Sequence, residues 1–272
     1  MPQLVKLQDE LRDSGFVVMA PHVQNGTEEE VAKVARGLKI NFTVTEGSTV
    51  PGESVSGIPA AFLFDASGKL VSKGHPSSMK QEIHDLVKKE PHFLAAGRTY
   101  TKHKATAEML KTTKVYGTIL KKLEKDLKGT GAAADEAKYL SERILQYGGK
   151  KLDEAKSMEA EQAFQANALY TDLSSNWKGT APGDKASARL KELKADKAFQ
   201  EELKAGQMAQ QIRAECDKLI IQGGKLNLDY TPNVKIAATV KGSFAALKKK
   251  YPESKATALL KKELEGNGFK GI

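Results

Sequence analysis

Leu4, Leu7 and Leu11 recur at helical spacing between Pro2 and Gly15, which places an amphipathic helix at the head of the chain, with proline in its first turn and glycine at its stop. The pattern then changes. Phe16-Val17-Val18-Met19-Ala20 is an unbroken apolar run, as a parallel strand covered on both faces requires. Thr27 and Glu30 have capping-box spacing ahead of an apolar stripe formed by Val31, Val34, Ala35 and Leu38, so a second helix follows. Residues 41–45 alternate about Phe42 and Val44 in the manner of a short edge strand.

Residues 46–57 are rich in Gly, Ser and Pro and lead as a loop to Ile58-Pro59. Proline cannot donate to a ladder, so it belongs at the first residue of the strand that follows, and a cis peptide in a tight turn is one way to seat it. Ala60 to Phe64 and Lys69 to Lys73 read as a hairpin closed by Asp65-Ala66-Ser67-Gly68, where Asp accepts hydrogen bonds from the turn and Gly takes positive φ. Ser78 and Gln81 have the spacing to cap a last helix with Met79, Ile83, Leu86 and Val87 facing inward, and Pro91 lies past its end.

From Ala105 onward the periodicity is helical. Met109, Leu110, Ile119, Leu120, Leu123 and Leu127 predict one long helix stopping at Gly129, with Tyr139, Leu140, Ile144 and Leu145 on the next. Gly148-Gly149, Pro182-Gly183 and Gly223-Gly224 read as turns. Tyr170-x-x-Leu173-x-x-x-Trp177 followed by Lys185-Ala186-Ser187-Ala188-x-Leu190 is paralleled by Phe244-x-x-Leu247-x-x-x-Tyr251 followed by Lys255-Ala256-Thr257-Ala258-x-Leu260. Each copy predicts an aromatic-ended helix, a turn and an Ala-rich helix. The pair resembles tetratricopeptide-type hairpins, which implies a protein-binding groove; an irregular bundle that merely packs is the alternative.

Charge divides the chain in the same place as the pattern does. Residues 1–90 carry 10 basic and 12 acidic side chains and the remaining 182 carry 33 and 22, so the whole excess of +9 lies in the second part. We therefore expect residues 1–90 as one domain, 91–104 as a linker and 105–272 as a basic helical domain. The basic residues are Lys interleaved with Glu, with few Arg and few aromatics, which is the signature of a solvated helical face rather than of a nucleic-acid groove. No run is long enough to span a membrane, and the first residues lack a signal-peptide pattern. Cys216 is the only cysteine, which excludes dithiol chemistry and a Cys-rich zinc site within this chain. Its neighbours Glu215 and Asp217 disfavour a thiolate, so it reads as structural. His22, His75, His84, His92 and His103 show no ligand spacing, and no hydrolase triad, phosphate-binding glycine loop or cofactor motif stands out.

Gly57-Ile58-Pro59-Ala60, Phe62-Leu63-Phe64-Asp65 and Gly68-Lys69 resemble the Gly-Val/Ile-Pro-x-x-Phe-Leu-Ile-Asp-x-x-Gly-Lys segment of the TlpA-like and redoxin branch of the thioredoxin superfamily. Met1-Pro2-x-Leu4 resembles the stretch with which that branch continues just after its Cys-x-x-Cys. The resemblance covers about residues 1–90. It implies an α/β thioredoxin-like domain lacking its central strand and dithiol, followed by an all-α helical-hairpin domain. It also implies that Gly57, Ile58 and Pro59 bind substrate, with the backbone of Ile58 pairing with an extended peptide. A missing central strand leaves unpaired backbone on both sides of a gap about twice the usual strand spacing of roughly 4.8 Å. Either the flanking strands close up, or a strand comes from another chain, or the natural start lies upstream of Met1; the last is favoured because the break falls within a few residues of the family motif.

Three functions are expected to compete. The first is a thiol-disulfide oxidoreductase relative, redox-inactive as given; the second is a non-catalytic protein that binds protein or peptide partners; the third is a nucleic-acid binder. The chain as given points to the cytoplasm, and an upstream segment carrying an export signal would point to the periplasm.

Overall fold

The computed structural model describes residues 2–272 apart from Ser48, Ser56, Gly223 and Gly224. It divides into two compact units, one of the residues up to Lys114 with Lys121–Arg143, the other of Val115–Leu120 with Ile144–Ile272.

In the first unit, α1 (Pro2–Leu11) runs into a 3-10 turn, Arg12–Ser14, that ends on Gly15 at φ 90°. A β-carbon there would meet the Cβ of Phe93 at 2.8 Å, so the stop needs glycine for two reasons. β1 (Met19–His22) pairs in parallel with β2 (Thr43–Glu46), and α2 (Glu28–Gly37) connects them. The Thr27–Glu30 box forms as expected: the Glu30 N–H donates to the Thr27 hydroxyl at 3.3 Å and the Thr27 N–H to the Glu30 carboxylate at 2.8 Å. β3 (Ala61–Phe64) and β4 (Leu70–Gly74) form the antiparallel hairpin, with a register shift between Leu63 and Phe64. Asp65 Oδ1 accepts from the N–H groups of Ser67 and Lys69 and from the Ser67 hydroxyl at 2.9, 3.0 and 2.6 Å, and Gly68 takes φ 84°. The hairpin and α3 (Lys80–Lys89) bury Leu63 with Leu7, Leu11, Met79 and Ile83.

Three expectations fail here. The first strand begins at Met19 rather than Phe16 and is not covered on both faces: Val17 is 68% and Met19 63% exposed. β1 has a single partner, β2, and among the described residues none between 12 and 62 is buried. Ser78 does not cap α3 through Gln81; a short 3-10 turn, Pro76–Ser78, intervenes, and the Ser78 hydroxyl donates to the His75 carbonyl at 2.9 Å.

The predicted long helix is two, α4 (Lys104–Thr112) and α5 (Tyr116–Leu127). Thr112, Thr113 and Val115 are β-branched, the Thr112 hydroxyl donates to the Met109 carbonyl at 3.2 Å, and Thr113 is extended. Such residues favour a break over a continuous helix. The next helix, α6 (Ala132–Met158), contributes to both units, as does α5. Within the first unit, Arg143 of α6 donates to the carbonyls of Phe93 and Leu94 at 2.6 and 2.9 Å, and Tyr139 to that of Ala96 at 2.8 Å.

The second unit is built from α7 (Ala163–Asn176), α8 (Ala181–Ala195), α9 (Lys197–Cys216), α10 (Thr231–Lys250) and α11 (Lys255–Gly266), with a minimal hairpin of β5 (Ile221–Gln222) and β6 (Lys225–Leu226). The Gly223-Gly224 turn lies outside the described residues. The two expected repeats have matching ends. Trp177 and Tyr251 each cap the first helix at its C-terminus, and Thr180 and Ser254 each cap the second at its N-terminus. The copies differ in packing: α7 and α8 lie closely along each other, whereas α10 and α11 each pack chiefly on α9.

Neither of the other two dipeptides is a turn. Gly148-Gly149 lies inside α6, and Pro182-Gly183 sits in the first turn of α8, where proline gives up no hydrogen bond. Packing explains both. A β-carbon on Gly148 would meet Trp177 Nε1 at 2.5 Å, one on Gly183 the Trp177 carbonyl oxygen at 2.1 Å, and one on Gly117 the Lys178 carbonyl oxygen at 2.3 Å. These glycines make room for the fully buried Trp177, which stacks on Tyr116 at 4.1 Å between ring centres.

Candidate functional site

The residues singled out by the resemblance lie together at the head of β3. The Ile58-Pro59 peptide is cis, and Ala60 leads directly into the strand. Gly57 and Pro59 are exposed, Ile58 is 55% exposed, and a β-carbon on Gly57 would meet nothing within 4 Å. The loop is tied to the hairpin by Glu53, whose carboxylate receives the Lys73 ammonium of β4 at 3.0 Å. At the hairpin's other end, the Ser67 hydroxyl and then the Lys69 N–H hold the Asp65 carboxyl below the usual carboxylate range.

The loop leads into one of two small sheets of the first unit. β1–β2 and β3–β4 are separate two-stranded sheets, and no ladder joins them among the described residues. Each pair has an exposed apolar side chain at or just before its first strand, Met19 on β1 and Ile58 ahead of β3. The edge of a sheet can add an extended peptide by main-chain hydrogen bonding. Disulfide exchange is a different matter, because it needs a thiolate. The one cysteine, Cys216, ends α9 and is buried in the helical unit with Ile212, Leu219 and Val240.

Two polar constellations carry no motif in the sequence. Glu136, buried on α6, accepts the backbone N–H groups of Thr101, Lys102 and His103 at 2.8, 2.9 and 2.8 Å and the Thr101 hydroxyl at 2.8 Å. Burial pushes its carboxyl up, but these four donors outweigh burial and hold it at about 2. The arrangement anchors the entry to α4. In the second unit, Glu159 receives both Arg189 Nε and Nη2, at 3.0 and 2.6 Å, together with the hydroxyl of buried Tyr170. Burial first, and then this carboxylate, push the Tyr170 phenol above its ordinary value. Acid, Arg and Tyr are far apart in sequence, so only the fold reveals either group.

Each carboxylate is engaged by several donors from distant parts of the chain, so both read as structural clamps. The exposed loop of Gly57, Ile58 and Pro59 remains the candidate site. No protein-family model, curated protein or solved structure matches the chain.

Proposed function

We propose that the N-terminal unit is a thioredoxin-like half-domain of the TlpA-like and redoxin type, belonging to a protein that handles thiols and disulfides. Gly57, Ile58 and Pro59 form its peptide-binding loop, and the partner dithiol belongs to a segment upstream of Met1. The observation that carries this reading is the division of the strands into a parallel pair and an antiparallel pair that no ladder joins among the described residues, as a sheet without its central strand would leave them. The chain as given has no dithiol and does not exchange disulfides. Translating the DNA immediately 5′ to the Met1 codon tests the reading. An in-frame strand followed by Cys-x-x-Cys is the expected result, and an in-frame stop with no such motif overturns it.

The second reading is a non-catalytic interaction protein with tetratricopeptide-like helices. It is favoured by the matching ends of the α7–α8 and α10–α11 copies, an aromatic C-cap followed by a Thr or Ser N-cap. Retention of an extended peptide by the full chain that survives substitution of Ile58 and Pro59 but is lost on substitution along the exposed faces of α7–α8 or α10–α11 would select this reading.

A further inference from the structure

Most helices of the second unit that carry several charges mix the two signs, but α10 does not. It has five lysines, Lys235, Lys241, Lys248, Lys249 and Lys250, and no Asp or Glu. All five are exposed, and among the described residues none of them forms an ion pair. The contrast with α11 is direct: there Lys255 reaches Glu161 at 2.7 Å and Lys261 reaches Glu265 at 3.7 Å. The helix macrodipole accounts for the three lysines in the last turn. It does not account for Lys235, near the N-terminus, where a cation is disfavoured, or for Lys241 in the middle.

The same helix has a clean division of faces. Asn233, Ala237, Val240, Phe244 and Leu247 are buried, which fixes the opposite side as the solvent face. At about 100° per residue, Val234, Ala245, Ala238 and Gly242 form an apolar strip from one margin of that face to its middle, with Lys241 and Lys248 beyond Val234 on one flank and Lys249 and Lys235 about the middle of the face on the other. Nothing lies within 4 Å of a β-carbon built on Gly242, and Val234 is 52% exposed.

We propose that the solvent face of α10 docks an acidic amphipathic helix of a partner protein, its carboxylates on the flanking lysines and its apolar stripe over Val234, Ala238, Gly242 and Ala245. The inference goes beyond both readings above and needs neither. Charge complementarity selects an acidic occupant. Between acidic occupants, the face favours a helix over nucleic acid: it has no arginine for bidentate base or phosphate contacts and no exposed aromatic for stacking, while the short side chains between the lysines let a second backbone approach.

The test uses the full chain and a fluorescein-labelled peptide of about 20 residues, long enough to match α10 at roughly 1.5 Å per residue, with a Leu/Ala stripe flanked by Glu. A scrambled peptide of the same composition and a duplex DNA are the competitors, read by fluorescence anisotropy at 50 mM salt. The proposal expects binding of the amphipathic peptide, at least threefold weaker binding of the scrambled one, at least a tenfold loss in the K241E/K248E/K249E variant, and a loss of threefold or more in Gly242→Leu. The last variant leaves charge unchanged and meets open space, so it separates docking from general attraction, and circular dichroism checks that both variants fold. Absence of binding, equal binding of the two peptides, indifference to the triple reversal or to Gly242→Leu, or tighter binding of DNA would each overturn it.

Discussion

Gly148 and Gly149 are neighbours in the middle of α6, yet replacing each by alanine should move stability in opposite directions. In a helix interior, Gly→Ala gains about 0.8–1 kcal/mol of propensity. Gly149 has nothing within 4 Å of a new β-carbon, so Gly149→Ala should realise most of that gain. At Gly148 the same methyl would lie 2.5 Å from Trp177 Nε1, 2.9 Å from Trp177 Cδ1 and 3.1 Å from Pro182 Cγ. The indole is 1% exposed and stacked on Tyr116, so it has no free direction to yield. Overpacking of this kind costs about 1–3 kcal/mol, and nearly all of that range exceeds the propensity gain, leaving Gly148→Ala destabilised by up to about 2 kcal/mol. Trp177 is the only tryptophan and reports its own displacement. Urea unfolding followed by its fluorescence should show the midpoint falling for Gly148→Ala, with altered native emission, and rising for Gly149→Ala with emission unchanged. Equal shifts of the same sign, or native emission unaffected by Gly148→Ala, would refute the packing argument.

Two further outcomes follow from single groups. The Glu136 carboxyl is held at about 2 in the fold against a usual 4.5, so its stabilisation is fully present above about pH 4.5 and is lost as pH falls towards 2. Glu136→Gln should cost roughly 1–3 kcal/mol near neutrality, since it turns one acceptor oxygen into an amide N–H₂ that faces backbone donors. It should also flatten the acid limb of the melting curve, and exchange protection of the Thr101, Lys102 and His103 amides in the variant matching wild type would contradict this. Cys216, 8% exposed in an apolar cluster, should react with a thiol reagent only after urea unfolding, with rapid labelling of the native chain as the contrary result.

What the sequence made legible was whatever is governed by neighbours a few residues away. The Thr27–Glu30 box and the Asp65-to-Gly68 turn are set by local hydrogen bonding, and each is present. The failures have a common cause. Gly148-Gly149 and Pro182-Gly183 carry turn composition, but a tryptophan ring and its carbonyl arriving from elsewhere in the chain need the space that the glycines leave. A turn-forming sequence and a close-packing sequence are the same letters. Likewise the Phe16-to-Ala20 run has the composition of a doubly covered strand, and composition cannot say whether a covering layer exists. At the candidate site, the sequence located the loop through Pro59, whereas the Glu136 and Glu159 clamps depend on partners up to 35 residues away and were invisible.

The distribution of burial bears on which unit can act as what. The helical unit encloses Trp177, Tyr170, Phe244 and Leu247 almost completely, and side chains of that size are worth about 1.5–3 kcal/mol each when buried. The β1–α2–β2 segment has no such reserve, because a two-stranded sheet is marginal without a covering layer and none of its described residues is buried. Val17, Met19, Val23 and Val34 remain more than half exposed there, whereas β3 is covered by α1 and α3. An extended segment lying along β1 would shield part of that apolar surface. Under the proposed strand capture, binding and folding of this segment would be coupled: hydrogen-exchange protection of β1 and β2 should rise on capture of a strand while that of the α7–α9 core stays fixed. A uniform rise in both would place the coupling elsewhere.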